Sequence, residues 1–254
     1  MDVSAYLDRI GMPEPSGAGA AYLRDLQRAH LNAVPFENLS IHLGERIVLG
    51  EQELFDKIVR RRRGGFCYEL NGLFAMLLEN LGYRVERLAA RVFGGERLGP
   101  PFDHLLLVVD TADGDGPWLV DVGFGAHSTY PLRFADRAEQ ADPGGRFELA
   151  DTPDGDVDVL ADGARRYRIE RRVRVLADFE ATCWYQQTFP DSHFRKNPLA
   201  TRLDGDARIT ISGRTLIRTG GDGRTETELA TGEDVLSAYR KNFGLILDRL
   251  PQLA

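Results

Sequence analysis

What this chain has little of narrows its reading first. Only two cysteines, Cys67 and Cys183, occur in 254 residues. That is too few for a disulfide framework, and no close Cys/His spacing supplies a tetrahedral metal site. No metal is therefore expected. No window reaches the roughly 18 apolar residues that a membrane helix requires, so no membrane partner is expected either. The first residues, Met-Asp-Val-Ser-Ala-Tyr-Leu-Asp-Arg-Ile, hold no basic segment leading an apolar stretch. A secretory leader is not expected, which makes a reducing cytoplasm the expected location. Positive charge is not in excess: the net charge is −7, which argues against a nucleic-acid partner. Internal repeats are absent. With 43% hydrophobic and 28% charged residues, the composition is that of a soluble globular protein, large enough for one big domain or two to three small lobes.

The first eighty residues have helical periodicity. Ser4 is placed to cap a short helix ending at Gly11, and Tyr22, Leu23, Leu26, Ala29 and His30 fall on one face of a second helix stopped by Pro35. Residues 51–63 predict a third, carrying Leu54, Phe55, Ile58 and Val59 and closed by Gly64-Gly65, with Arg60 to Arg63 at its negative end. A fourth is expected over 67–81, with Gly82 as its cap. Beyond Gly82, short apolar or alternating runs are separated by clusters such as Thr-Ala-Asp-Gly-Asp-Gly-Pro at 111–117, the pattern of an antiparallel β lobe. Within it, Arg166, Arg168, Arg172 and Arg174 alternate with Tyr167, Ile169, Val173 and Val175, which predicts one strand with a solvated face. Strands near 208–218 and 225–230 and a helix capped by Thr231 close the chain.

The chemistry centres on Arg-Gly-Gly-Phe-Cys-Tyr-Glu-Leu-Asn at 63–71. It puts Cys67 at a helix N-terminus, where unpaired N–H groups and the dipole favour a thiolate. The double glycine lets a substrate or the chain itself pass close to the sulfur. His104 opens the apolar run His-Leu-Leu-Leu-Val-Val-Asp, and Asp121 sits in Trp-Leu-Val-Asp-Val. A hairpin centred at 112–113 would set those two opposite each other, and a carboxylate in so apolar a strand needs a partner. Cysteine, histidine and aspartate in that order supply a thiol nucleophile, its base and the group that orients the base. Among the other histidines, His30 and His42 fall outside any cleft, and His127 and His193 are candidates for its lining. Cys183 is expected in the core. The same order also suits a cysteine protease or a transglutaminase-like enzyme, and a silent binding protein remains the non-enzymatic alternative.

From Pro-Phe-Glu-Asn-Leu at 35–39, through the cysteine block, to His104 and Asp-Val-Gly-Phe-Gly at 121–125, the chain resembles the arylamine N-acetyltransferases of bacterial type. The C-terminal third is only loosely similar. The resemblance implies an α+β, cysteine-protease-like fold of three lobes: a helical bundle (1–82), an antiparallel β-barrel lobe (83–190) and an α/β lid (191–254). It implies Cys67, His104 and Asp121 as a catalytic triad that moves acetyl from acetyl-CoA to an arylamine or hydrazine by a ping-pong route. Phe36, Val92 and Phe124 would line the arylamine pocket; Gly123, Gly125 and Ala126 would approach CoA; Arg63 and Glu37 would pair beneath the site. An amide synthase of the same family, acting on a carrier-bound acyl chain, is the alternative. The expected assembly is a monomer or small homo-oligomer.

Overall fold

The computed structural model describes residues 1–221 and 223–252. Its N-terminal part holds α1 (Val3–Ile10), α2 (Ala20–Ala33), β1 (Phe36–Glu37), α3 (Leu39–His42), α4 (Glu51–Phe55) and α5 (Cys67–Asn80). Asp2, not Ser4, caps α1, its carboxylate accepting from the Ala5 N–H, and the helix ends on Gly11 in the left-handed region. The third predicted helix is shorter than expected. Past Phe55 it loosens into a π turn (Asp56–Arg60), and Arg62 already stands at φ 53°. Arg61 to Arg63 therefore lie beyond the helix rather than in its last turn.

Arg63 leaves the helix to reach a buried carboxylate. Its guanidinium lies 2.9 Å from Glu37, which also accepts from the Leu39 N–H at 2.6 Å. Nearby, the Lys57 ammonium meets Glu69 at 2.7 Å, and Glu69 also accepts from the Phe66 N–H, bracing the start of α5. Gly64 and Gly65 serve the approach of chain to chain. A Cβ on Gly64 would collide with the Pro35 carbonyl, and Gly65 accepts the Glu37 N–H and bridges to Phe36.

Then come β2 (Arg84–Gly94), β3 (Arg97–Leu98), β4 (His104–Asp110), β5 (Trp118–Val120), β6 (Leu132–Arg133), β7 (Gln140–Asp142), β8 (Gly145–Asp151), β9 (Val157–Ala161) and β10 (Ala164–Arg174). Among the described residues they form one antiparallel sheet, ordered β6-β5-β4-β2-β10-β9-β8-β7 with β3 on β2, curled into a nearly closed barrel. The unbroken apolar run of β4 follows from burial on both faces. Leu106 and Val108 join Phe147, Val159 and Tyr167 inside the barrel, whereas Leu105, Leu107 and Val109 pack with the helical core around α5. The predicted alternation in β10 fails after Glu170. A bulge shifts the register there, and Val173 is 55% exposed.

A 3-10 turn (Leu176–Phe179), α6 (Glu180–Thr188) and α7 (His193–Lys196) lead to β11 (Leu199–Asp204), β12 (Ala207–Ser212), β13 (Thr215–Gly220), β14 (Gly223–Glu228) and α8 (Gly232–Phe243). The single strand expected near 208–218 is two, β12 and β13, folded back at Gly213 with φ 57°. Thr231 caps α8 as its sequence signals, with Asp234 reaching back to the Thr231 N–H. β11 pairs with β1, so the C-terminal sheet is stitched to the segment leading into the cysteine block.

The Glu37–Arg63 pair makes stability depend on pH in a definite sense. Burial alone would raise the Glu37 carboxyl, but Arg63, Lys57 and the Leu39 N–H outweigh it, so the folded pKa is lowered. Its stabilisation is full above the unfolded value, about 4.3, and is lost as pH falls through the folded pKa. Arg63→Leu, which strands the buried carboxylate, is expected to cost about 3–5 kcal/mol at neutral pH. Urea midpoints should show this loss shrinking toward acid pH, where protonation of Glu37 removes the uncompensated charge.

Candidate active site

Cys67 opens α5, where its N–H has no partner within the helix. The helix runs beneath β4, and its next turn places Asn71 on the same face as Cys67. Asn71 Nδ2 donates to the Leu105 carbonyl at 2.6 Å and to Asp121 at 2.9 Å, and its Oδ1 accepts the Val122 N–H at 2.9 Å. One amide thus fastens the segment after β5 onto the cysteine helix.

His104 and Asp121 meet, though not by the pairing expected. The β4–β5 register joins Leu107 to Val120 and Val109 to Trp118, two residues off a hairpin centred at 112–113. A two-residue offset keeps every side chain on its face, so the two become diagonal neighbours. His104 Nε2 lies 2.7 Å from Asp121 Oδ2, and Asp121 Oδ1 also accepts the Gly123 N–H at 2.9 Å. Both residues are 2% exposed. Burial would raise the Asp121 carboxyl, but His104, His127 and Asn71 outweigh it and hold it below the usual range. The carboxylate therefore fixes the proton on Nε2. Nδ1, with no hydrogen-bond partner among the described residues, borders the cavity.

The resting thiol differs from the expectation drawn from its helix position. Burial pushes the Cys67 thiol well up, the Leu105 N–H opposes this, and Asp103 and Asp121 reinforce it. The sulfur lies 3.9 Å from the Asp103 carbonyl. Desolvation outweighs the helix end because Cys67 is buried, only 2% exposed.

A cavity of about 720 Å³ is lined by Cys67 and His104 together with Phe36, Val92, Phe124 and Gly123. His193 also borders it, whereas His127 does not. His127 is packed between Phe124, Phe147 and Tyr167 in the barrel core, where burial lowers its pKa to about 4. Tyr167 Oη lies near Asp121 without forming a good hydrogen bond. Gly125 packs against the Phe36 ring and Ala126 is exposed, both off the cavity wall. Cys183 is buried, and both cysteines are free. Among the described residues no group of three or more His, Cys, Asp or Glu is placed to hold a metal, and no helix is long and apolar enough to cross a membrane. Sequence reasoning missed Asn71 and Gln27, whose Oε1 accepts the Asp121 N–H at 3.3 Å. The available signal was Asn71 itself, a polar residue one turn beyond Cys67 on an otherwise apolar helix.

The sequence model of the N-acetyltransferase family matches residues 20–251. An arylamine N-acetyltransferase of Mycobacterium tuberculosis is 37% identical over 253 residues, covering 96% of this chain and 89% of its own. The chain belongs to the arylamine N-acetyltransferase family. Among solved structures, the Mycobacterium smegmatis arylamine N-acetyltransferase superimposes with a TM-score of 0.90 at 34% identity, covering 96% of this chain and 92% of that one. The Mycobacterium marinum enzyme in complex with CoA does so with a TM-score of 0.88 at 34% identity, over 96% and 93%. The mixed α/β fold with its antiparallel barrel is thus the family's fold, and the chain is an enzyme, an acetyltransferase.

Gly123 leaves no room for a side chain beside Cys67. A Cβ there would stand 2.7 Å from both the Cys67 Cα and Asn71 Nδ2. Gly123→Ala is expected to leave far-ultraviolet circular dichroism intact while slowing iodoacetamide alkylation of Cys67 about tenfold or more, because a 1 Å displacement at a reacting centre has effects of that size.

Proposed function

We propose that the enzyme carries acetyl from acetyl-CoA to the nitrogen of arylamines or arylhydrazines through an acetyl-cysteine intermediate on Cys67. The observation that carries this reading is the cavity that Cys67 and His104 line together, with Asp121 holding Nε2 of the imidazole. Family membership supports the donor and acceptor classes.

The chemistry follows from the desolvated thiol. Isolated ionisation of Cys67 is disfavoured, so the thiolate forms together with an imidazolium, the proton passing to Nδ1 while Asp121 stabilises the new charge. The sulfur attacks the thioester carbonyl, with the Cys67 N–H as an oxyanion donor. Collapse expels the CoA thiolate, which takes the proton back from His104. The incoming amine then attacks the acetyl-cysteine, loses its proton to Nδ1, and the Cys67 thiolate departs. Phe36, Val92 and Phe124 supply an apolar, aromatic wall suited to an aryl acceptor. Gly123 borders the acyl position, and Gly125 and exposed Ala126 continue that loop toward solvent, where a donor as large as CoA must leave the cavity. Two free cysteines suit the cytoplasm.

Intact-mass spectrometry after mixing enzyme with acetyl-CoA and no amine tests the route. One added acetyl group is expected, absent in Cys67→Ala and discharged by an arylamine. Absence of any adduct on a Cys67 that still alkylates would overturn acetyl-CoA as donor and direct the search to carrier-bound acyl chains. Asp121→Asn is expected to lower the acetylation rate by about 10²–10⁴-fold, through the wrong imidazole tautomer.

A further inference from the structure

Asp103, beside His104, is the one carboxylate on the cavity wall among the described residues, and beyond its charge near Cys67 the triad chemistry makes no use of its side chain. Its surroundings form a directed chain. Gln186 Nε2 donates to Asp103 Oδ1 at 2.7 Å, Ser192 Oγ donates to Gln186 Oε1 at 2.6 Å, and Ser192 Oγ accepts the Phe194 N–H. Gln186 and Ser192 are 5% and 3% exposed, whereas Asp103, on the cavity wall, is half-buried.

The polarity of the chain is set at one end. A carboxylate only accepts, so it must face the amide nitrogen of Gln186. That leaves the amide oxygen for the Ser192 hydroxyl proton, and the hydroxyl lone pair for the Phe194 N–H. Phe194 is the terminus that matters, because its ring lies 5.3 Å from Phe66 and 6.3 Å from Phe36 and lines the cavity.

The other end of the chain is equally fixed. The Asp103 carbonyl accepts the Tyr68 hydroxyl at 3.1 Å, and Phe102 before it is held at φ 60°, outside the ordinary range for a non-glycine residue. The carboxylate itself rests against Gly99, where any Cβ would collide with it. Asp103 is thus anchored to both α5 and the start of β4, and its side chain ties the α6–α7 wall to them.

We propose that Asp103 is a positioning residue for the acceptor side of the cavity, acting through Gln186 and Ser192 to hold the Phe194 wall at the spacing an aryl ring requires. Assigning that wall to the acceptor rests on the acetyl-transfer reading; the clasp itself does not. Asn38 Nδ2 and His42 Nε2 still hold the Phe194 carbonyl when the clasp is severed, so the ring shifts while the segment stays in place, and aryl recognition suffers more than the chemistry at sulfur.

Four variants test it: Gln186→Leu, Asp103→Ala, their double combination, and Asp103→Asn, whose side-chain oxygen still accepts from Gln186. The first readout needs no acetyl-CoA. It is the ratio of Cys67 modification rates by N-phenylmaleimide and by iodoacetamide, with Cys67 located by peptide mass mapping. Gln186→Leu and Asp103→Ala are each expected to lower that ratio about fivefold, with the double variant no lower than either single, as members of one network behave. Arylamine KM is expected to rise about tenfold while kcat falls less than twofold. Asp103→Asn should recover most of both effects. Asp103→Asn as damaging as Asp103→Ala, an unchanged ratio in Gln186→Leu, or a double variant equal to the product of the singles would each overturn the clasp. A reagent ratio that behaves as expected in an enzyme that takes no acetyl from acetyl-CoA would instead overturn the acetyl-transfer reading and leave the clasp standing.

Discussion

The Asp121 carboxylate, buried and bonded on both oxygens, holds three parts of the structure in one place. His104 from β4, Asn71 from α5 and the Gly123 N–H of its own loop all donate to it. A buried carboxylate with fewer donors would cost several kcal/mol or take up a proton, so burial and full hydrogen bonding are one requirement. Satisfying it forces helix, strand and loop to close at a single point, and Cys67 stands one helical turn from that point. The reactive geometry is therefore a consequence of solvating one charge with protein groups.

A second layer of buried charge supports the first. Glu37–Arg63 and Lys57–Glu69 lie on the same side of α5, and Glu69 also holds the backbone at the helix start. Such pairs add little net stability compared with apolar packing, but they resist mispairing because each alternative strands a charge. They locate the segment ahead of Cys67, while β1–β11 pairing ties that segment to the C-terminal sheet. Burial that makes this scaffold rigid also suppresses the free thiolate. In the mechanism proposed above the sulfur ionises together with His104, which would couple nucleophile to base more tightly than a helix dipole does.

Much of this was legible in the residues. The periodicity around Leu70, Leu73, Phe74, Leu77 and Leu78 and the cap at Gly82 located α5 within one residue. Thr231 marked the start of α8, and the change of period after Gly82 marked the barrel. Errors gathered where local signals are weak or overridden. The run through Arg60 to Arg63 has helical composition, yet tertiary demand pulls Arg63 out to Glu37. In β10 a bulge, invisible to a period-two pattern, turned Val173 to solvent. Asp103 and Gln186 carried no local motif at all, because their importance lies in a contact between residues 83 positions apart.

Cys67, His104 and Asp121 could be picked out from the chain alone, since each stands in a local setting that its chemistry makes unusual: a thiol at a helix start, a histidine and a carboxylate in apolar strands. Their order and parity along the chain also placed His104 and Asp121 on one face, because a two-residue slip of register leaves a strand's faces unchanged. Only the tertiary structure decided which imidazole nitrogen is free, how deeply the thiol is desolvated, and which wall stands opposite it. Those properties depend on dielectric and distance between groups remote in sequence, and neither is written in the spacing of residues along a chain.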